Sequence, residues 1–322
     1  MTFDEFSADL PAERTMEFSS AEEMEELFKD VGIEQPMRQL GRGAFRSALA
    51  ATITKDAEFY SDRYNRKISM HLESLDGNVG FVFPRSASGD FLAAGENIGN
   101  EKLLVVPTGS GVDITGPSLI GSESIAISEK RFAELNQTLC PTIESPENLT
   151  LVEGDNAQFV ALRQAVTEIV AHPELDANGE TAANVVASVI AWIGDIQGQH
   201  PPIELSESMR RIHIAKIAQD YIESHYQDAV HIEDLCRVSA VGVRTLQRYF
   251  QEYFDLPVSQ YLKTVRLDSA RRELVAANSS ETSVTNIAMT HGCTHLGRFS
   301  VEFRERFGVS PHEVLDSRPG QK

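Results

Sequence analysis

Hydrophobic positions in the first half of the chain follow the short period that is typical of β-strands. From about residue 45 to residue 128, short apolar runs are separated by clusters of Gly, Pro, Ser and Asn. The clearest runs are Ile68–Leu72, Val79–Phe83 and Lys102–Val106. This spacing predicts a small β-barrel or jelly roll.

Helical periodicity surrounds the β-rich region. Residues 1–40 predict mostly loop with one short helix at about 21–31, and further helices are predicted at about 129–139, 155–172 and 180–197. The last of these has a broad apolar stripe. It can pack on the β-domain of the same chain or against a second protomer, and the sequence leaves both alternatives open. The stripe consists of Val185, Val186, Val189, Ile190, Ile193 and Ile196, with Trp192 beside it.

The C-terminal third contains a helix-turn-helix pattern. It begins at Ile232–Cys236, turns through Val238–Val241 and enters its second helix at Gly242. Along that second helix every fourth residue is aromatic or aliphatic, which predicts a buried face. The residues of that face are Leu246, Phe250 and Phe254.

The opposite face of this helix has side chains suited to base edges. Polar residues on a helix are most often a solvated face, but the second helix of such a unit is the element that enters the DNA major groove. Arg pairs well with guanine and Gln with adenine. The predicted DNA-contacting residues here are therefore Arg244, Gln247, Arg248 and Gln251.

A second copy of the pattern follows after 53 residues. The segment Phe250–Phe254 recurs as Phe303–Phe307, preceded by Val284–Ala288 and a turn at Gly292. Two such units in one chain favour binding to successive major grooves of double-stranded DNA.

The second copy has weaker base-reading chemistry. The repeat offset puts Gly297 and Val301 where the first copy has Arg244 and Arg248. We therefore predict that the second copy contributes phosphate contacts and positioning more than base discrimination. Its predicted contact residues are His295, Gly297, Arg298, Ser300 and Arg304.

One long helix, from Pro257 to about Ala277, joins the two copies. With Pro257 expected at its first position, about 20 residues at about 1.5 Å each span about 30 Å, close to the ~34 Å of one duplex turn. This length favours two recognition helices on one side of the DNA. Its basic residues can contact phosphates or pair with Asp268 or Glu273. They are Lys263, Arg266, Arg271 and Arg272.

The first half of the chain carries the whole net charge of −19. Residues 207–322 contain 15 Lys and Arg against 15 Asp and Glu, whereas residues 1–206 contain 14 against 33. Residues 237–272 contain seven basic and three acidic side chains, a local charge of +4. Because local charge at the contact surface decides phosphate attraction, the sequence is compatible with modest, strongly salt-dependent DNA binding.

Pattern and composition together define two domains. The stretch 197–202, Gln-Gly-Gln-His-Pro-Pro, predicts a compact, stiff linker. We predict a first domain at 1–199, a linker at 200–206 and a second domain at 207–322. The predicted fold class is α+β, with an N-terminal β-barrel or jelly roll and flanking helices, followed by an all-α domain.

Other classes of protein have little support in the sequence. No run of 18 apolar residues predicts a membrane span, and the acidic N-terminus has no signal-peptide pattern. Three scattered cysteines predict reduced thiols and a cytoplasmic protein. The histidines before the linker, His71, His172 and His200, are isolated. We therefore predict no metal site, no cofactor and no catalytic residue.

At these residues the C-terminal part resembles the AraC/XylS family of bacterial transcription regulators. The matching motifs are RTLQRYF at 244–250, RLDSARREL at 266–274 and GRFS at 297–300, followed by Phe303, Phe307-Gly308 and Ser310-Pro311, about 110 residues in all. The resemblance implies a seven-helix domain that usually activates transcription, with double-stranded DNA and RNA polymerase as partners. By position it implies base-reading roles for Arg244, Gln247 and Arg248, and for Gly297 and Ser300.

Three positions depart from the family pattern. Gly242 stands for the usual serine N-cap, Cys293 for an aromatic residue after the glycine of the second turn, and Val301 for an arginine. Glycine is tolerated as an N-cap. The other two departures predict looser packing at the second turn and weaker base reading by the second copy.

The N-terminal half resembles the cupin-like sensor domains of the same family. Its matching segments are MRQLGRGAFR at 37–46 and Val106-Pro107. The resemblance implies a homodimer that responds to a small-molecule effector bound in the β-domain.

Three functions remain as alternatives. The first is an effector-responsive activator. The second is a regulator controlled by a protein partner, with Phe91–Ala94 or the stripe at 185–196 as the contact surface. The third is a DNA-repair enzyme that accepts a methyl group on Cys140, although Leu139-Cys140-Pro141 has no neighbouring His or Arg to lower the thiol pKa.

Overall fold

The computed structural model divides the chain into two units. The first comprises residues 1–37 and 45–206, and the second comprises residues 38–44 and 207–322. The structure describes residues 1–30, 33, 35–73, 77–87, 91–141, 148–153, 156–176, 179–199, 203–204, 206–279 and 281–316. No helix within these ranges combines the length and apolar composition needed to cross a bilayer.

The strands of the described residues form two antiparallel sheets. They are β1 (Met16–Phe18), β2 (Met37–Gln39), β3 (Ser47–Ile53), β4 (Glu58–Tyr64), β5 (Ile68–Glu73), β6 (Asn78–Ser86), β7 (Leu92–Ala93), β8 (Glu96–Asn97), β9 (Lys102–Val106), β10 (Gly111–Gly116), β11 (Ile120–Ser128), β12 (Thr150–Glu153) and β13 (Ile203–Glu204). The larger sheet has the order β1-β3-β4-β11-β6-β9-β12-β13, and the smaller includes β5, β10, β7 and β8 as neighbours in that order.

The first unit also contains helices. They are α1 (Phe3–Phe6), α2 (Ala21–Asp30), α3 (Glu129–Leu139), α4 (Asn156–Ala171) and α5 (Glu180–Gln199), with a 3₁₀ turn at Pro173–Asp176. Alternate residues of β4, β6 and β11 meet α3, α4 and α5 in one hydrophobic core, in which Phe159 lies between Phe83 and Trp192. The period of two in these strands therefore determines which side chains join the helices.

The apolar stripe of α5 lies in this core. Val186, Val189 and Ile190 are buried, as is Trp192. Of the two alternatives, the structure supports packing within the first unit. The stripe is therefore not available as a protomer contact.

The predictions for residues 1–40 were partly wrong. The helix predicted at about 21–31 is α2, with Val31 outside the described residues, but α1 and β1 also occur where loop was predicted. α1 has only 4 residues, capped by a reciprocal pair of hydrogen bonds between Thr2 and Glu5. An element so short has no periodicity to detect, and it forms because Phe3 and Phe6 are buried.

The described residues after 205 are all helical apart from turns. The helices are α6 (Ser206–His225), α7 (Ile232–Val238), α8 (Val243–Phe254), α9 (Val258–Ala276), α10 (Val284–Thr290), α11 (Leu296–Phe307) and α12 (Pro311–Asp316). Together with the sheet-rich first unit they confirm the predicted α+β class. Pro257 is the N-cap of α9, with extended backbone, and not its first helical residue as predicted.

The second unit resumes at residue 207, where the predicted second domain begins, but the segment predicted as a linker has partly regular structure. α5 continues through Gln199 and β13 occupies residues 203–204, whereas a linker was predicted at 200–206. Residues 200–202 and 205 lie outside the described residues. Residues 38–44, predicted in the first domain, belong to the second unit, because Arg38 pairs there with Asp268 and Glu223.

Candidate DNA interface

The first helix-turn-helix unit consists of α7 and α8. Its turn, residues 239–242, contains Ala240 in the left-handed region at φ 53°. Gly242 is the N-cap of α8 and makes no side-chain cap, as its lack of a side chain requires. Leu246, Phe250 and Phe254 are fully buried, which confirms the predicted inner face of α8.

The outer face of α8 is exposed. The side chains of Arg244, Gln247, Arg248 and Gln251 all lie there. Arg248 is 61% exposed, with Nε 3.7 Å from a carboxylate oxygen of Glu252. The exposure meets the geometric requirement for groove contact, because the face that carries the two arginines is not used for packing.

Gln251 and Arg248 have local partners. The Nε2 atom of Gln251 donates to Oδ1 of Asp255 at 2.7 Å, and the Arg248 guanidinium lies 5.0 Å from the ring centroid of Tyr249. Both contacts are between exposed or half-buried groups of α8 and its C-cap residue. They can be exchanged for contacts with DNA at small cost, since exposed pairs contribute about 0–1 kcal/mol.

The second helix-turn-helix unit consists of α10 and α11. Ser283 caps α10 by accepting a hydrogen bond from the Asn286 N–H at 3.2 Å. Phe299, Phe303 and Phe307 are buried in the core that α11 shares with α9, α10 and α12. This is the inner face predicted from the repeat.

The predicted contact residues of α11 are exposed, but they differ in what they can offer. His295, Gly297, Arg298, Ser300 and Arg304 all lie at the surface. Ser300 Oγ donates to the carbonyl of Leu296 at 3.2 Å, and Arg298 Nε donates to Oε1 of Glu302 at 2.6 Å. At the position equivalent to Arg248 of α8, α11 has Val301, an exposed apolar residue.

The turns of the two helix-turn-helix units differ in length by one residue. α7 and α10 are offset by 52 positions, whereas α8 and α11 are offset by 53. The second turn therefore has one more residue than the first. Ala240 and Gly292 are equivalent under the first offset, and both have positive φ, 53° and 72°.

Two of the basic residues on α9 serve the protein interior. Arg266 donates to the backbone carbonyls of Tyr226 and Asp228 at 2.7 and 2.8 Å, and Lys263 Nζ lies 2.5 Å from a carboxylate oxygen of Glu302. Of the two alternatives from the sequence, both residues pair within the protein, although their partners here are neither Asp268 nor Glu273, and phosphate contact stays a prediction. Arg271 lies over the Phe307 ring, at 5.2 Å from its centroid, and Arg272 is exposed.

The Lys263 contact also affects the electrostatics of α11. Burial raises the pKa of Glu302, but hydrogen bonds from Lys263 and Arg298 lower it by more, so the pKa lies below its ordinary value. Glu302 is therefore ionised at neutral pH. It holds Arg298 on the helix surface, and a phosphate must compete with it for that guanidinium.

Comparisons with known proteins match this C-terminal part. The family model described as "Helix-turn-helix domain" matches residues 235–317. The probable thc operon regulatory protein of Rhodococcus erythropolis is 38% identical over 106 residues, which are 33% of this chain and 32% of that protein. The transcriptional activator RhaS of Escherichia fergusonii is 36% identical over 98 residues, 30% of this chain and 34% of that protein.

This match and the order of the motifs decide the class of the domain. Residues 235–317 form an AraC-type helix-turn-helix domain. The chain aligns with about a third of the length of these curated relatives.

Solved structures with a similar C-terminal part include AraC-type regulators. A probable AraC family regulator from Rhodopseudomonas palustris is 29% identical, with a TM-score of 0.31, and covers 33% of this chain and 99% of that one. ToxT from Vibrio cholerae is 13% identical, with a TM-score of 0.29, and covers 85% of this chain and 98% of that one.

A buried ion cluster lies on the α9 side of the AraC-type domain. Asp268, on the buried face of α9, pairs with Arg38 at 2.8 Å and with Arg306 at 2.8 Å. A second carboxylate, Glu223, lies 3.1 Å from Arg38. Tyr261 donates its hydroxyl proton to Glu223 at 2.8 Å and completes the cluster.

Backbone atoms complete the coordination of these arginines. Arg306 Nη2 donates to the carbonyl of Gln39, and Gln39 Nε2 donates to the carbonyl of Arg306 at 3.0 Å. Burial alone lowers the pKa of Arg38, but Tyr261 and the two carboxylates raise it by more. The guanidinium therefore stays charged inside the protein, and residues 38–44 are held by charge-assisted hydrogen bonds.

This cluster was not predicted from the sequence, although one signal was present. Tyr261, Thr264, Val265 and Asp268 share one buried stripe of α9. An acid in such a stripe needs a buried cationic partner. The pattern predicts that a partner exists, but nothing local identifies it, since Arg38 is 230 residues away.

The turn between α10 and α11 of the AraC-type domain requires glycine at position 292. A Cβ on Gly292 would lie 3.0 Å from Arg266 Nε and 3.0 Å from the Gln227 carbonyl, in a residue with φ 72°. We expect Gly292→Ala to lower the free energy of unfolding by about 1–2 kcal/mol, because left-handed backbone strains a residue with a Cβ. Urea unfolding followed by far-UV circular dichroism measures the change.

Gly297→Ala is the matched control for stability. Gly297 lies in α11, and nothing stands within 4 Å of its added Cβ. This variant should be as stable as the wild type or up to about 1 kcal/mol more stable. If both alanine variants have the same effect, the turn conformation is not what requires Gly292.

Proposed function

We propose that this protein is a sequence-specific transcription regulator that binds double-stranded DNA through its AraC-type domain. The main support is the outer face of α8, where Arg244, Gln247, Arg248 and Gln251 are exposed while the opposite face holds the core. These side chains have the donors that pair with guanine and adenine edges.

The two recognition helices have different roles in this proposal. α8 discriminates bases, whereas α11 positions the protein through Arg298 and Arg304, because it has Gly297 and Val301 at the equivalents of the α8 arginines. Activation of transcription, with RNA polymerase as a partner, is proposed from the relatives, of which RhaS is named as a transcriptional activator. We further propose that the protein works in the cytoplasm as a homodimer.

Electrophoretic mobility shift with DNA from upstream of its own gene tests this function. We expect a specific complex whose affinity falls steeply as salt rises, because phosphate contacts release counterions. Matched DNA with scrambled bases should bind more weakly at each salt concentration. Equal affinity for both DNAs at every salt concentration would contradict sequence-specific binding.

The two alternative functions have less support. For regulation by a protein partner, Phe91–Ala94 and the α5 stripe were the suggested contact surfaces. However, Phe91, Ala93 and Ala94 are buried, as is most of that stripe. Methyl acceptance by Cys140 needs a lowered thiol pKa. Burial and the charge of Asp195 instead raise the pKa of Cys140, so we propose no catalytic role.

A further inference from the structure

The first unit contains a cavity of about 120 Å³ between its two sheets. One wall is the face of the larger sheet that points away from α3, α4 and α5, built from alternate residues of β4 and β11. The other wall comes from β5 and β10 and is mainly apolar, with Met70, Leu72 and Ile114, apart from Glu73 at the end of β5. A cavity of this size holds a compact molecule, since an engineered cavity of about 150 Å³ binds benzene.

The wall formed by β4 and β11 is polar. The register pairs Asp62 with Ser122 and Tyr60 with Ser124. The N–H and Oγ of Ser122 donate to the two carboxylate oxygens of Asp62 at 3.0 and 2.6 Å, and Tyr60 donates its hydroxyl to Glu58. These donors are therefore already used by carboxylates, while each carboxylate keeps acceptor capacity for a ligand.

The charge of the cavity has one sign. Glu58, Asp62 and Glu73 line it, and no Arg, Lys or His does so among the residues that the structure describes. Arg63, next to Asp62, points to the other side of the sheet, where it pairs with Glu123 at 2.5 Å and Asp9 at 3.0 Å. An anionic ligand would meet like charge with no cation to pair with, and like charges in a site disfavour one another.

We propose that this cavity binds the effector, and that the effector is a compact apolar amine bound as its ammonium ion, with the ammonium group on Asp62 and the apolar body against β5 and β10. The assignment rests on the proposed function, to which it adds the chemical class of the effector. Charge-assisted hydrogen bonds to the carboxylate supply direction, and burial of the apolar body supplies most of the affinity.

The state of Asp62 without ligand supports this assignment. Burial raises the pKa of Asp62 to about 6, against smaller lowering by Ser122 and Arg63 and with further raising by Glu123. The carboxylate is thus mostly ionised at pH 7 but lacks a full counter-charge. An ammonium ion provides that charge, whereas a carboxylate ligand increases the imbalance.

Three probes that share one ring and differ at the polar end test the proposal. Benzylamine, benzyl alcohol and benzoate are titrated into the full-length protein by isothermal calorimetry at pH 7. We expect affinity in the order benzylamine, benzyl alcohol, benzoate. Asp62→Asn, which keeps the shape, should weaken benzylamine about tenfold, the equivalent of one charge-assisted hydrogen bond, and leave benzyl alcohol within a factor of about two.

The control variant and a local probe identify the site. Asp56→Asn removes an exposed acid from the turn between β3 and β4, outside the cavity, and should leave benzylamine affinity unchanged. The ¹³C-methyl NMR signal of Met70, assigned with Met70→Leu, should shift on titration because Met70 lines the cavity.

Each other result overturns the assignment. Benzoate that binds as tightly as benzylamine contradicts the charge argument. Benzylamine affinity that is equal in wild type and Asp62→Asn, or binding with no shift of the Met70 signal, assigns the amine to another acidic site. If none of the probes binds, the effector class is wrong, and the mobility shift without any probe reports separately on the proposed DNA-binding function.

Discussion

Asp268→Ala is expected to lower the free energy of unfolding of the second unit by about 3–5 kcal/mol. Asp268 is the shared counter-ion of Arg38 and Arg306, which are themselves largely buried. Removal of the carboxylate leaves two guanidinium groups with less compensation in a low-dielectric environment. This loss is a large fraction of a typical domain stability of about 5–15 kcal/mol.

The single tryptophan separates the two units in this experiment. Trp192 lies in the core of the first unit, so its fluorescence follows that unit, whereas far-UV circular dichroism follows the helices of both. In urea, we expect the variant to unfold earlier by circular dichroism than by fluorescence.

An exposed ion pair of the same segment provides the control. Arg42 pairs with Glu305 at 2.9 Å, with side chains that are 65% and 48% exposed. Arg42→Ala should change the free energy of unfolding by less than about 1 kcal/mol. If Asp268→Ala and Arg42→Ala destabilise the protein equally, the buried cluster does not hold the second unit together.

Replacing both Arg244 and Arg248 by alanine is expected to weaken specific DNA binding by about 2–6 kcal/mol, if each arginine contributes about 1–3 kcal/mol through paired hydrogen bonds to guanine. The loss should fall on the specific site and leave little preference over scrambled DNA. Mobility shift with both DNAs, at one fixed salt concentration, measures the two affinities.

The second recognition helix supplies a control of equal charge. Arg298→Ala with Arg304→Ala removes two exposed arginines from α11. Since these are predicted to contact phosphates, both DNAs should lose affinity by a similar factor and the salt dependence should decrease. If the α11 pair removes base preference and the α8 pair does not, the roles assigned to the two helices are reversed.

Sequence periodicity predicted the elements that follow from local spacing. The residues Phe250 and Phe303 were assigned to buried faces because every fourth position was apolar, and both are fully buried. β9 and α3 begin and end at the predicted residues. In such segments the pattern of one element contains all the information needed.

Contacts between residues far apart in the chain could not be predicted from local periodicity. Arg266 looked like a candidate phosphate contact because it is basic and lies in α9, but it donates to the carbonyls of Tyr226 and Asp228, just after α6. The polar wall of the cavity depends on the register that pairs Asp62 with Ser122 across two strands. Neither arrangement leaves a periodic trace in the chain.

Residues 38–44 have a practical consequence for building chimeric regulators. A recombinant fragment cut at position 207 and fused to a foreign receptor would carry Asp268 and Arg306 but lose Arg38, the other cation bound to that carboxylate. The transplanted module would then be missing an internal part that its own primary structure encodes far upstream. Modular exchange in this protein therefore requires two junctions to be engineered together.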